Sequence, residues 1–158
     1  MNRIISIMMY AGFIAASFSG QANDFNTAIP IHDKGAVAYY VAGHVNGFGD
    51  TEFMVDTGSG YTAINENMLE KLSKETNVEF LSTVSAMLAN GGRTSLSVYK
   101  IDSINIGGKC VIHDVKAVIL PGSTRNILGL SALKKAAPFA FSTNPPSLLL
   151  SNCELEVS

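Results

Sequence analysis

Phe53-Met54-Val55-Asp56-Thr57-Gly58-Ser59 decides the reading of this chain: three apolar residues run directly into an acid, a hydroxyl residue, a glycine and a second hydroxyl residue. An apolar, strand-prone run that ends on Asp-Thr-Gly reads as a buried strand delivering one carboxylate onto a tight loop, with Gly58 allowing backbone to approach closely. Far downstream, Ile127-Leu128-Gly129 answers it with two apolar residues and a glycine but no acid.

Outward from this run, short strand-like stretches divided by glycines follow one another at residues 37–45, 51–55, 84–88, 96–106, 111–120 and 147–150. Such runs, with Gly, Asn and Asp between them, imply an all-β domain built from hairpins. Asn46-Gly47-Phe48-Gly49-Asp50 and Gly107-Gly108-Lys109 have the composition of hairpin turns, and Pro145-Pro146 marks a turn before the last strand. Two short helices are expected. Residues 67–75 carry Asn67 and Glu70 as a capping pair, with Met68, Leu69 and Leu72 on one face; residues 131–137 open on Ser131 as a cap and stop at Pro138. A faint internal echo links Val45-Asn46-Gly47 and Asp56-Thr57-Gly58 with Ile106-Gly107-Gly108 and Ile127-Leu128-Gly129, as two similar halves around a common core would. No solenoid-like period is present.

Met1-Asn2-Arg3, the uncharged stretch 4–18 and the small-residue segment Ser19-Gly20-Gln21-Ala22 have the layout of an export signal cut after Ala22. A membrane span needs about 20 apolar residues, so 4–18 is short for a permanent anchor; an uncleaved signal anchor is the alternative. The chain thus divides into a signal peptide (1–22), a polar lead-in (23–36), one domain (37–152) and a short tail (153–158). The expected location is exported, periplasmic or secreted, with no stable membrane anchor after cleavage. The 158 residues carry 11 basic and 13 acidic side chains for a net charge of −2; without residues 1–22, which hold one Arg and no acid, the charge is −3. A mildly acidic chain with no basic cluster gives no electrostatic basis for nucleic-acid binding.

Cys110 and Cys153 fit neither a paired metal knuckle nor a CxxC redox site, and His32, His44 and His113 lack ligand spacing, so no metal or other cofactor is expected. In an exported chain the two cysteines can pair within the chain, pair between two copies or stay free.

Ser59 and Ser131 have no His base in a triad arrangement, which leaves the carboxylate as the chemical group of interest. Peptide hydrolysis without metal or covalent nucleophile needs a base for water and an acid for the carbonyl, and two carboxylates sharing one proton supply both. This chain has a single Asp-Thr-Gly, so such a pair requires two copies, with Asp56 of each meeting across a two-fold axis. In that role Thr57 would hydrogen-bond across the axis, Gly58 would admit close backbone and Ser59 would donate to the carboxylate. Ala89, Asn90, Gly91 and Gly92, between two strand-like runs, read as a hairpin tip able to close over a substrate.

These features resemble the retropepsin-like aspartic peptidases, single-domain acid proteases, and in particular their exported bacterial type. The likeness rests on residues 53–59, on Ala89-Asn90-Gly91-Gly92, on Ile104-Asn105-Ile106-Gly107-Gly108 and on residues 127–133, and it extends over about 37–150. It implies a closed, mostly β acid-protease barrel with one or two short helices, a homodimer, a peptide or protein substrate, Asp56 as the catalytic residue, and Ile127, Leu128 and Gly129 as structural support for the active-site loop. Gly92, Arg93 and the acidic ending Cys153-Glu154-Leu155-Glu156 depart from the pattern. The expected function is an exported aspartic endopeptidase. Its rivals are a non-catalytic peptide-binding or dimerisation module on the same fold, because fold alone does not fix activity, and a monomer whose Asp56 never meets a partner.

Overall fold

A computed structural model describes residues 25–35, 38–76, 78–87 and 91–154. The expected signal peptide, Ala89 and Asn90 of the hairpin tip, and the end of the acidic tail lie outside the described residues.

The chain opens with β1 (Thr27–Pro30) and β2 (His32–Asp33), then β3 (Tyr39–Val45) turns through residues 46–48 into β4 (Gly49–Val55). Gly47 sits at φ +83, which is why that turn needs glycine. β5 (Thr62–Asn65) leads directly into α1 (Glu66–Glu75). The long hairpin of β6 (Glu79–Met87) and β7 (Arg93–Ile106) follows, then β8 (Cys110–Leu120), β9 (Asn126–Leu128), α2 (Leu130–Leu133), a 3-10 turn at Lys134–Ala136, β10 (Phe139–Thr143) and β11 (Pro146–Leu150).

Six of these strands close into a barrel in the order β3-β4-β9-β5-β8-β7, with β7 returning to β3 through Gly43↔Ile106 and Val45↔Ile104. The length of β7 makes this possible. Its C-terminal end completes the barrel, while Arg93–Lys100 pair with β6 and carry that hairpin away from it. Inside, Val41, Phe53, Ile64, Ile101, Ile104, Ile106, Leu128 and Leu133 are buried, each contributing on the order of 1.5–3 kcal/mol. A second, smaller cluster of Ala63, Leu96, Val98 and Val118 lies beneath the hairpin.

The lead-in supplies structure of its own. Ile29 and Ile31 are buried, and β1 pairs antiparallel with β11 to form a three-stranded sheet, β1-β11-β10. Cys110 and Cys153 are joined in a disulfide within the chain.

Both helix starts differ from expectation. The cap of α1 is Asn65 rather than Asn67: Asn65 is extended (φ −89, ψ 165), and its side chain accepts from the Met68 N–H at 2.9 Å. Asn67 donates instead to Ser123 Oγ at 3.1 Å. The second helix is a single α-turn followed by a 3-10 turn, capped at Gly129, and Ser131 does not cap it. β6 begins at Glu79, ahead of the expected residue 84, because Phe80 packs edge-on against Tyr99 of β7.

Candidate active site

Asp56 is the residue at which β4 stops being a strand. β4 runs parallel to β9 with Met54 opposite Ile127 and Val55 opposite Leu128, and the ladder continues one step further as the Asp56 N–H donates to the Leu128 carbonyl at 3.1 Å. The chain then turns sharply. The Ser59 N–H donates to the Asp56 carbonyl at 3.2 Å, and the Gly58 N–H donates to the Asp56 carboxylate oxygen Oδ1 at 2.8 Å. A Cβ at Gly58 would stand 3.1 Å from that same oxygen, so glycine is what lets the carboxylate lie against its own backbone. Thr57 and Gly58 are exposed, and Asp56 is half-buried.

The far end of the loop is fastened to α2, where the Leu130 N–H donates to the Ser59 carbonyl at 2.9 Å. Ser59 itself corrects an expectation. Its hydroxyl does not reach the carboxylate but donates to the Tyr61 carbonyl at 2.7 Å. Two residues beyond Gly129, the Ser131 hydroxyl accepts from the Thr62 N–H at 2.7 Å and donates to the Lys116 carbonyl at 2.6 Å, tying β5, α2 and β8 together beneath the loop. Ile127, Leu128 and Gly129 therefore meet the Asp56 loop directly, by ladder pairing and by close packing of Gly129 on Tyr61.

Asp56 lies where two clefts meet. One, of about 580 Å³, is lined by Asp56, Ser59, Tyr61, Ala63, Val118 and Ile127, and is roofed by Val84, Ala86 and Leu96 from the β6–β7 hairpin. The other, of about 550 Å³, runs past Thr57 between Ala38, Tyr39, Met54 and Phe141. Gly91 and Gly92 lie at the hairpin's end, Gly91 at φ +82, and Met87 there is 68% exposed. Among the described residues no cluster of three His, Cys, Asp or Glu side chains is placed to hold a metal ion.

Sequence reasoning did not single out Tyr61, Thr62 or the apolar cleft wall. The signal for the wall was the alternation in residues 84–88 and 96–106, which sends Val84, Ala86 and Leu96 to one side of the hairpin. Nothing local marks the Ser131–Thr62 contact, which joins segments 69 residues apart.

A single carboxylate is thus held on a tight loop, at the junction of two clefts and beneath a glycine-ended hairpin. The family model described as "gag-polyprotein putative aspartyl protease" matches residues 41–135. Among solved structures, a retropepsin-like aspartic protease from Rickettsia conorii has the same fold, with TM-score 0.56 and 24% sequence identity over 78% of this chain and 88% of that one. No curated protein matches.

Proposed function

The chain belongs to the gag-polyprotein aspartyl protease family and has the retropepsin-like fold, and from that premise we propose that it is an exported aspartic endopeptidase, active as a homodimer with one Asp56 from each copy. The observation that carries the reading is the Asp56 carboxylate itself, held by the Gly58 N–H at 2.8 Å on the cleft floor. Two such groups brought side by side cannot both ionise cheaply, so the pair retains one proton over a range of acidic pH and the protons belong to the pair. The ionised member draws a proton from water while the protonated member donates to the peptide carbonyl. An extended peptide would lie between this floor and the β6–β7 hairpin, held partly by strand-like backbone bonds.

Support for the dimer comes from Thr57 and Gly58, exposed beside an apolar groove lined by Ala38, Tyr39 and Phe141. The Cys110–Cys153 disulfide supports export, since such bonds persist in oxidising compartments, periplasmic or extracellular.

The test compares the wild type with Asp56→Asn on a mixed peptide pool between about pH 4 and 7, the range around carboxylate titration. The asparagine amide oxygen still accepts from the Gly58 N–H, so the variant is expected to keep fold and dimer while losing cleavage. Cleavage by Asp56→Asn at the wild-type rate overturns the assignment. A folded wild-type dimer that binds peptides and yields no products would make the chain a binding module.

A further inference from the structure

The parallel register of β4 and β9 sorts their side chains onto two faces. Phe53 and Leu128, fully buried, belong to the core face. Met54 and Ile127 belong to the opposite face and line the two clefts that meet at Asp56. Arg125 lies just ahead of β9, and its Nη1 stands 3.8 Å from Sδ of Met54, which lines the second cleft. A thioether is a weak acceptor and leaves most of the guanidinium's donors uncommitted. Among the described residues Arg125 has no carboxylate partner, whereas Lys34, Lys74 and Lys100 each pair with a glutamate. The clefts offer it none apart from Asp56, their other lining residues being uncharged.

The loop that carries Arg125 is fastened residue by residue. The Gly122 N–H donates to Glu66 Oε2 at 2.7 Å, Ser123 Oγ accepts from Asn67 at 3.1 Å, and the Thr124 carbonyl accepts from the Asn65 side chain at 2.8 Å. Asn126 then donates to Thr51 Oγ1 at 3.0 Å. Three consecutive residues at the start of α1 are thus committed to this loop, and Arg125 projects from a fixed backbone at the edge of an apolar cleft.

We propose that Arg125 is a specificity-determining residue that selects substrates bearing an Asp or Glu side chain near the scissile bond, with apolar side chains flanking the bond itself. Met54, which the guanidinium touches, lies two positions before Asp56, so for an extended peptide advancing about 3.3 Å per residue the guanidinium stands within a few residues' length of the bond. The inference rests on the peptidase reading of Asp56, where the two clefts meet.

The experiment uses the full chain at about pH 6, where substrate carboxylates are ionised. The peptides are identical except for Asp, Asn or Lys at one of three positions on either side of an apolar pair. The wild type is expected to prefer Asp over Asn by about tenfold in kcat/KM at one or two positions, the scale of a charge-assisted hydrogen bond. Arg125→Met is expected to flatten that ratio, and Arg125→Glu to reverse Asp against Lys. Because the ratio is taken within each variant, partial loss of folding cancels. A wild-type ratio near one, or an Asp preference that survives Arg125→Glu, overturns the proposal and leaves the peptidase reading standing. If no peptide is cut, anisotropy with the same peptides, fluorescein-labelled, separates the two claims. An Asp preference in binding that Arg125→Glu reverses sustains the recognition while the peptidase reading fails; equal binding of the Asp and Lys peptides overturns both.

Discussion

A Cβ atom on Gly129 would lie 2.0 Å from the carbonyl oxygen of Tyr61. That oxygen also accepts from the Ser59 hydroxyl at 2.7 Å, so one backbone atom locks the loop after Asp56 from inside and bears the returning β9–α2 segment from outside. Gly129 is extended at φ −100, a conformation open to any residue, and its requirement is for space alone. The neighbours a methyl group would strike are backbone atoms of Tyr61 and Thr62, which no rotamer change can move.

Gly129→Ala is therefore expected to destabilise the fold by about 3 kcal/mol, as overpacking against backbone does. Gly60→Ala, four residues after Asp56 and with nothing within 4 Å of its Cβ, is expected to stay within about 0.5 kcal/mol of wild type. Urea unfolding of the two variants checks the contrast. Equal losses would show that glycine at 129 is not there for packing.

How much of this was legible in the sequence depends on how local each signal is. Phe53 to Ser59 could be read because the strand, the acid and the turn glycine are contiguous, whereas Ile127-Leu128-Gly129 was marked as support for that loop through the family resemblance and not as a strand. The long strands β7 and β8 declared themselves as strand-prone runs on either side of the Gly107-Gly108 turn. β5, β9 and β10 did not: at three to five residues they are too short for any period to emerge. β1 was hidden in a polar stretch, its buried Ile29 followed by Pro30, and its partner β11 lies at the other end of the domain. The two serine hydroxyls were misread for one reason. A hydroxyl takes whichever acceptor tertiary packing brings near, and for Ser59 and Ser131 those acceptors are the carbonyls of Tyr61 and Lys116.

Ser131→Ala follows from that geometry. The change leaves the Thr62 N–H without its acceptor and the Lys116 carbonyl without its donor, and Thr62 is wholly buried. The expected loss is about 1–3 kcal/mol, the penalty for an unmet buried donor, read as a lowered urea midpoint at unchanged m-value. A loss below about 0.5 kcal/mol would place Ser131 among ordinary surface positions.

Glu52 on β4 links the lead-in to the barrel through ion pairs with Lys34 and, at 2.9 Å, with His32. The hydrogen bond from Lys34, opposed by slight desolvation and reinforced by the charges of Lys34 and His32, holds the Glu52 carboxyl below its ordinary 4.5. A lowered native pKa means that the unfolded chain binds more protons in the window beneath 4.5. The contribution is therefore full above that pH and is lost as pH falls through the lowered value. With 41% of the side chain exposed, solvent screening limits it to a few tenths of a kcal/mol. Wild type is expected to exceed Glu52→Gln by that margin at pH 6 in low salt, and the gap is expected to shrink progressively as pH falls below 4.5. A gap that does not shrink at all as pH falls below 4.5 would have a source other than this charge.

The disulfide acts on the other end of the chain. Cys110, fully buried at the start of β8, is bonded to Cys153 across a sequence separation of 43, and next to it the Val111 N–H donates to the Glu154 carbonyl at 2.9 Å. Closing a loop of that length removes entropy from the unfolded chain, and the typical stabilisation is about 2–4 kcal/mol. β11 is held by its register with β1 and β10, and the Ser151 N–H donates to the Ala136 carbonyl at 3.2 Å, contacts that do not run through the bond, so the fold itself is expected to survive reduction. Unfolding of the Cys110→Ala/Cys153→Ala variant should therefore be a single transition with a lower midpoint and a larger m-value, because the uncrosslinked chain expands further when it unfolds. An unchanged m-value with the same loss of stability would move the effect from the unfolded chain to the packing around Cys110.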